Sequence, residues 1–537
     1  MSHHQPLLAA VALAATALAA AEERPIPRVV SRGGRHALLV DGEPFLMLTA
    51  QANNSSNYPA ALEKVWPAVE YLHANTLQMP VAWEQIEPEE GRFDFSFVDT
   101  LVAQAMERGV RLVLLWFATW KNNSPKYAPA WVKLDDERFP RVVAKDGGYR
   151  DSLSPVFRST LDADRRAFTA LMGHLRQIDP ERTVIMVQPQ NETGTYGSVR
   201  DYSDAAEALF RGPVPAAPVR ATGKSPGSWA EVFGTDADEF FHAWHIGRFV
   251  EEVAAAGKRV YPLPMYVNAA LRDPLGPQDP ISYSSGGPTH NVLDVWKAAA
   301  PSVDFISPDI YMPEHRRVMA ILDHYARPDN PLFVSEIGSD LPFARYLFST
   351  LGRRGIGFAP FGTDYTGYSN YPLGAKQVTE ETLEPFAESY RVLAPMAREW
   401  ARLAFEGEVW GVSKPDDGGD QELDLGEGWR ARFQYGQWQF GMEEWFPNAD
   451  RPALADAPVG GALIARLEAA AFLVIGRHVR VSFAREDEGR FMMSRVEEGR
   501  YEQGRWVTAR VWNGDQTDYG LNFTHLPQVL RVELAEY

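Results

Sequence analysis

The chain has no cysteine. That excludes disulfides, thiolate metal sites and lipid-modified cysteine anchors. The 12 histidines are scattered and form no His-Glu-x-x-His, and no glycine-rich loop of the phosphate-cradling kind occurs. The chemistry expected is therefore free of metal and of cofactor. Basic charge is in deficit, with 53 Lys and Arg against 71 Asp and Glu and a formal charge of -18. Phosphate binding needs clustered Lys and Arg, so neither nucleic acid nor an anionic membrane is expected as a partner. Internal repeats, low-complexity tracts and heptad runs are absent as well. The apolar run Leu7 to Ala21 is too short to span a bilayer comfortably, so no membrane insertion is expected.

That run instead fits a secretory signal over residues 1–21, with Ala17-Leu18-Ala19 or Ala19-Ala20-Ala21 as small-residue cleavage sites before Glu22-Glu23-Arg24-Pro25. Its first five residues offer no Lys or Arg, a weak n-region. The expected location is periplasmic or secreted. At 537 residues the remainder is too long for one ordinary core, so two or three domains are expected.

Two stretches organise the chain. In Thr183-Val184-Ile185-Met186-Val187-Gln188-Pro189-Gln190-Asn191-Glu192 an apolar, largely β-branched run ends abruptly in amide and carboxylate side chains. Pro331-Leu332-Phe333-Val334-Ser335-Glu336 does the same. Each reads as a buried parallel strand whose C-terminal end opens into a polar pocket. One such glutamate alone is readily a solvated strand-end charge. Two in the same strand context place a pair of carboxylates face to face.

Between residues 22 and 405 strand and helix patterns alternate. After a hairpin with an Asp41-Gly42 turn come about eight strand–helix units, the count of a closed parallel (β/α)8 TIM barrel in the α/β class. Glu192 then ends the fourth strand and Glu336 the seventh. An open doubly wound sheet usually stops sooner and carries a Gly-rich first turn that is missing here. The long connections Arg211 to Ser228 and Arg272 to Thr289 are expected to wall a substrate cleft. From 406 to 537 short apolar runs alternate with turns such as Asp416-Asp417-Gly418-Gly419, the pattern of an antiparallel β-sandwich domain. Its six tryptophans are expected to pack in the core and between domains.

A carboxylic acid and a carboxylate on opposite sides of a sugar ring cleave a glycosidic bond, and at roughly 5 Å separation they do so with retention. On this reading Glu336 is the nucleophile, since it follows a purely apolar strand and can be held ionised by neighbouring donors. Glu192 is the acid/base, protonated because the Glu336 charge raises its pKa. Asn191 beside it can donate to the sugar 2-hydroxyl.

Asn191-Glu192 ending the fourth strand and Glu336 ending the seventh resemble the hallmark of the retaining glycoside hydrolases of clan A. Val81-Ala82-Trp83-Glu84-Gln85-Ile86-Glu87-Pro88-Glu89-Glu90-Gly91-Arg92-Phe93-Asp94-Phe95 resembles the second-strand motif of families 42 and 35, the β-galactosidases. Trp116-Phe117 through Pro129-Ala130-Trp131-Val132 resembles their third-strand loop. With a C-terminal sandwich, the combination is most similar to bacterial family 35 enzymes, including those that trim galactose from xyloglucan. Where that family's third strand ends in a glutamate–tryptophan pair, Ala118-Thr119-Trp120-Lys121-Asn122 stands here. The resemblance implies a secreted, exo-acting, retaining β-galactosidase taking terminal galactose from plant oligo- or polysaccharides. It also implies a Tyr311 that hydrogen-bonds Glu336. Lys121 and Asn122 can donate to galactose hydroxyls, and Trp83, Trp116 and Phe361 can floor the pocket. Glu87-Pro88 belongs to a structural turn in that motif. The open alternatives are another clan A specificity (glucosidase, xylosidase or mannanase) and a catalytically inactive carbohydrate-binding protein.

Overall fold

The computed structural model describes residues 24–438 and 440–537; the expected signal segment lies outside the described residues. Eight strands form a parallel barrel: β1 (Met47–Gln51), β2 (Thr76–Ala82), β3 (Arg111–Lys121), β4 (Val184–Asn191), β5 (Tyr266–Ala270), β6 (Phe305–Ile310), β7 (Phe333–Ile337) and β8 (Gly357–Pro360). β8 pairs with β1. Between β4 and β5 the barrel closes through Val187, whose N–H donates to Pro264 at 3.0 Å and which bridges Met265. The helix Ala237–Val260 runs on through Val260, so the fifth strand starts later than the apolar run from Val260 suggests.

Period-two alternation sorts the strand residues into two cores. On β3, Val113, Leu115 and Phe117 point into the barrel with Met47, Ile185, Tyr266, Phe305 and Phe333. Leu112, Leu114 and Trp116 point out beneath the helices. A small antiparallel sheet, Arg28–Arg32, Arg35–Val40 and Glu43–Phe45, sends Leu38, Val40 and Phe45 into the inner cluster. The interior is thus a packed core, and a site is left only at the strands' C-terminal ends.

Beyond the helix Ala397–Glu406 the chain forms a six-stranded and a four-stranded antiparallel sheet. The run Ala471–Arg477 is apolar up to its closing arginine because both of its faces are covered. Phe472 and Val474 join Trp429, Phe433 and Val481 between the sheets, whereas Leu473 and Ile475 join the barrel's outer core. Trp429 and Trp512 are buried between the sheets, as expected, but Trp445 stands 55% exposed. Gly352, ending the barrel helix Tyr346–Gly352, lies against Gly411 of the strand Val409–Ser413. A Cβ on either would collide with the other's backbone, so this close approach requires glycine. No described helix is long and apolar enough to cross a membrane.

Candidate active site

Glu336, in β7, is 3% exposed, and four donors converge on its carboxylate. Gln51 from the end of β1 donates to Oε1 at 2.9 Å, and Asn191 and Asn268 donate to the same oxygen at 3.4 Å. Tyr311, just past β6, donates its hydroxyl to Oε2 at 2.7 Å. Three amides and a phenol with no competing acceptor suit a carboxylate anion.

Glu192 reaches the same cleft from the turn after β4. The backbone there leaves the regular strand: Gln190 has φ 97° and Glu192 φ 45°, both in the left-handed region that non-glycine residues avoid. Fixed partners hold this conformation. Gln190 accepts from the Trp120 N–H at 3.0 Å and donates to buried Asp164 at 2.6 Å. The Glu192 N–H donates to Asn268 at 2.8 Å, and its carbonyl accepts from Asn123. Between the pairs Trp116/Pro189 and Lys121/Asn191 the register of β3 against β4 slips, so β3 bulges there. The bulge brings Lys121 Nζ to 3.8 Å from Glu192 Oε2.

A third carboxylate completes the group. Oxygens of Glu192, Asp309 and Glu336 lie within 4.8 Å of one another. Asp309, on β6, accepts from Asn268 at 2.6 Å and from Ser335 at 3.0 Å. Burial above all, and then the charges of Glu336 and Glu192, push its pKa well above the usual carboxylate value. The Glu192 pKa is likewise raised from 4.5 to about 7, first by burial; Lys121 opposes the rise, Glu336 adds to it, and a hydrogen bond from Asp309 opposes it. Among the described residues these three form a cluster with metal-ligand spacing, in which three donors already share Glu336 Oε1 and one reaches Oε2.

The cleft holds about 430 Å3. Lys121, Asn122, Tyr311 and Phe361 line it, with Phe361 edge-on to Tyr311 at 6.4 Å. Asn191 is fully buried behind Glu336 and serves that carboxylate directly. Two aromatics differ from expectation. Trp116 has the outward parity of Leu112 and Leu114, and its indole donates to Asp164 at 2.9 Å, beneath a helix. Trp83 opens the short helix Trp83–Ile86, fully buried; it packs edge-on to Trp131 and donates to Glu87 at 2.9 Å. Neither touches the cleft. Trp83→Ala is accordingly expected to destabilise the fold by about 3–5 kcal/mol in denaturant unfolding, with KM unchanged for the molecules that remain folded. A raised KM at unchanged stability would contradict this placement.

Of the two long connections, 211–228 contributes nothing to the cleft and folds around the helix Ala216–Ala221. The other, 272–289, braces the Glu192 turn from behind: Ser284 Oγ lies 2.9 Å from both Asn123 and the Thr193 carbonyl, and the Thr195 N–H donates to Ser285. The cleft walls come instead from Asn54, Tyr196 and the segment after β8, through Asn370 and Leu373.

Residues 62–217 match the family model described as Beta-galactosidase, glycoside hydrolase family 42, which includes the Trp83-to-Phe95 motif and the Asn191-Glu192 turn. The similarity covers that part of the barrel, Glu192 included and Glu336 not. Residues 386–524 match a family described as a domain of unknown function (DUF5597). The chain is 26% identical to a β-galactosidase of Xanthomonas manihotis over 217 residues, 38% of this chain and 33% of that protein. It is 28% identical to the β-galactosidase BgaA of Thermus sp. over 141 residues, 24% of this chain and 19% of that one. The matched part thus spans a third or less of these relatives. Among solved structures, the β-galactosidase from Bacillus circulans sp. alkalophilus is 13% identical, with 66% of this chain and 57% of that chain covered and a TM-score of 0.49.

Proposed function

We propose that this protein is a β-galactosidase that releases terminal β-D-galactose by double displacement. The observation that carries the reading is the approach of Glu192 and Glu336, with oxygens within 4.8 Å, at the mouth of the barrel. That spacing suits direct attack by one carboxylate on the anomeric carbon, since an intervening water would need about 6.5–9.5 Å.

In the first step Glu336 forms a bond to the anomeric carbon as the glycosidic C–O bond breaks, and Glu192 gives its proton to the departing oxygen. In the second, Glu192 takes a proton from water, the hydroxide portion adds to the anomeric carbon, and Glu336 leaves as a carboxylate. Four donors keep Glu336 aimed. The raised Glu192 pKa keeps it protonated up to about neutrality. Once the sugar caps Glu336 its charge is gone, and one of the causes holding the Glu192 pKa up goes with it. Asp309, whose pKa is raised by burial and by the charges of Glu336 and Glu192, positions Glu192 by a hydrogen bond. Lys121 and Asn122 on the cleft wall are the hydroxyl donors, and Phe361 meets the apolar face of the sugar.

Galactose is chosen on the family 42 match and on the relatives named as β-galactosidases. Exo action on plant oligo- or polysaccharides, xyloglucan side chains included, and a secreted or periplasmic location complete the proposal. A cleft of about 430 Å3 suits a single terminal sugar, near the lower end of enclosed ligand sites, about 300–1,000 Å3.

A panel of nitrophenyl glycosides tests this. The β-galactoside is expected to have a kcat/KM at least about ten-fold above the β-glucoside, β-xyloside and β-mannoside, a gap of about 1.4 kcal/mol in transition-state binding. Proton NMR should show β-galactose before mutarotation. A different preferred sugar would reassign the specificity, and galactose binding without turnover would make the barrel a binding platform. Galactosylated xyloglucan oligosaccharides compared with lactose and pectic galactan identify the natural linkage.

A further inference from the structure

The four-stranded sheet of the C-terminal region carries a cavity of about 280 Å3 that the barrel chemistry does not use. It lies between the strands Trp429–Gln434, Val479–Arg485 and Leu521–Phe523 and the segments 436–438 and 452–459. In a chain with 71 acidic residues, no Asp or Glu among the described residues lines it; Lys414, His478, Arg480 and His525 do. Arg480 is 1% exposed and Lys414 5%.

Among the described residues no carboxylate forms an ion pair with either cation. Both lean on backbone carbonyls instead: Arg480 Nη2 donates to Gly441 at 2.6 Å and to Trp438, and Lys414 Nζ donates to Ala457 at 2.9 Å and to Ala455. Asp456, whose charge reaches Lys414, is itself paired with Arg451. Burial pushes the pKa of both Lys414 and Arg480 down, as expected of cations that lack a counter-ion. Such an arrangement is costly unless an anion completes it.

Unpartnered polar atoms gather at the same wall: Arg480 Nε, His478 Nε2, Trp438 Nε1 and Gln437 Oε1. The pKa of His478 is lowered to about 4, first by burial and then by Arg477, His525 and Lys414, so near neutral pH its imidazole offers one donor and one acceptor. Trp438 and Phe523 line it as well.

We propose that this cavity binds a sugar acid: a hexuronic acid residue whose carboxylate neutralises Arg480 and Lys414 while its hydroxyls and ring meet His478, Gln437, Trp438 and Phe523. A bare inorganic anion would leave the amide, imidazole and aromatic rings unused. A neutral sugar would leave the two cations without a counter-charge. The proposal stands apart from the barrel's reaction, and each has its own readout.

Titration calorimetry at low ionic strength with the full chain tests it, using glucuronate, galacturonate, glucose, galactose, acetate and sulfate as probes. At least one uronate is expected to bind one-to-one, at least about ten-fold tighter than either neutral sugar and than acetate or sulfate. Lys414→Gln and the cavity-filling Ala453→Trp are each expected to weaken uronate binding at least about ten-fold, with turnover of an aryl galactoside unchanged in both and the melting temperature unchanged in Ala453→Trp. Ala453→Trp removes no charge and no hydrogen bond, so it guards against a loop shift caused by Lys414→Gln. Uronate binding no tighter than galactose, sulfate binding as tight as the uronates, or uronate binding that survives both variants would each overturn the proposal.

Discussion

Replacing Glu336 with alanine is expected to lower kcat on an aryl β-galactoside by at least about 10^4-fold, the scale on which removal of a nucleophile is felt when the rest of the site stays in place. Azide or formate should then restore part of the turnover, since either fits the space of the missing carboxylate, and azide should yield an α-galactosyl azide. Glu336→Gln separates this chemical loss from unfolding. It removes one buried charge from a cluster of three carboxylates whose oxygens lie within 4.8 Å of one another. Its melting temperature at pH 8 is therefore expected to equal or exceed that of the wild type, as is common where a site holds charge against its own stability. An alanine variant with near-normal activity would remove Glu336 from the reaction. Loss of activity without rescue, together with a fall in melting temperature, would make it a structural carboxylate.

The barrel and both glutamates were legible because a buried parallel strand is apolar until its last residues, and any polar side chain there needs a reason. The same rule, applied to amides as well as acids, marks Gln51, which ends β1, and Asn268, within β5, which hold Glu336 and Asp309. Asp309 was missed although parity marks it: it lies two residues before Tyr311, and residues i and i+2 of a strand face the same way. Parity also separates Trp116, aligned with Leu112 and Leu114 under the helices, from Phe117, which faces the interior. Other features are set by tertiary partners. The β3 bulge that delivers Lys121 and the left-handed Gln190 and Glu192 arise from buried contacts to Asp164, Asn268 and Asn123, far off in sequence. Length and composition mark a loop as unusual but not which strand end it covers. The connection 211–228 is long and Pro-rich and still packs away from the cleft, whereas the cleft takes Asn370 and Leu373 from the segment after β8.

For Glu192→Ala, the expected loss depends on the leaving group. A natural disaccharide, whose alcohol must be protonated to depart, should lose about 10^2–10^4-fold, the usual contribution of a general acid. A dinitrophenyl galactoside, whose phenolate leaves unaided, should lose far less in the first step and accumulate the galactosyl-enzyme, because the second step still lacks its base. Equal losses on both substrates would count against the role. The wild-type pH profile carries the same information. With the Glu192 pKa at about 7, the group is protonated below that pH and ionised above it, so kcat/KM for an unactivated substrate should fall as pH rises through about 7. Lys121 sits 3.8 Å from Glu192 Oε2, and its charge favours the ionised form. Lys121→Met should therefore move this descending limb to higher pH, along with any loss of sugar affinity. In Glu336→Gln the neighbouring negative charge disappears, and the Glu192 carboxyl, followed by carbon-13 NMR, should titrate below about 7. A limb that stays in place in Lys121→Met, with the Glu192 resonance unmoved in Glu336→Gln, would mean that the proton on Glu192 is governed by burial alone and that the two charges do not tune it.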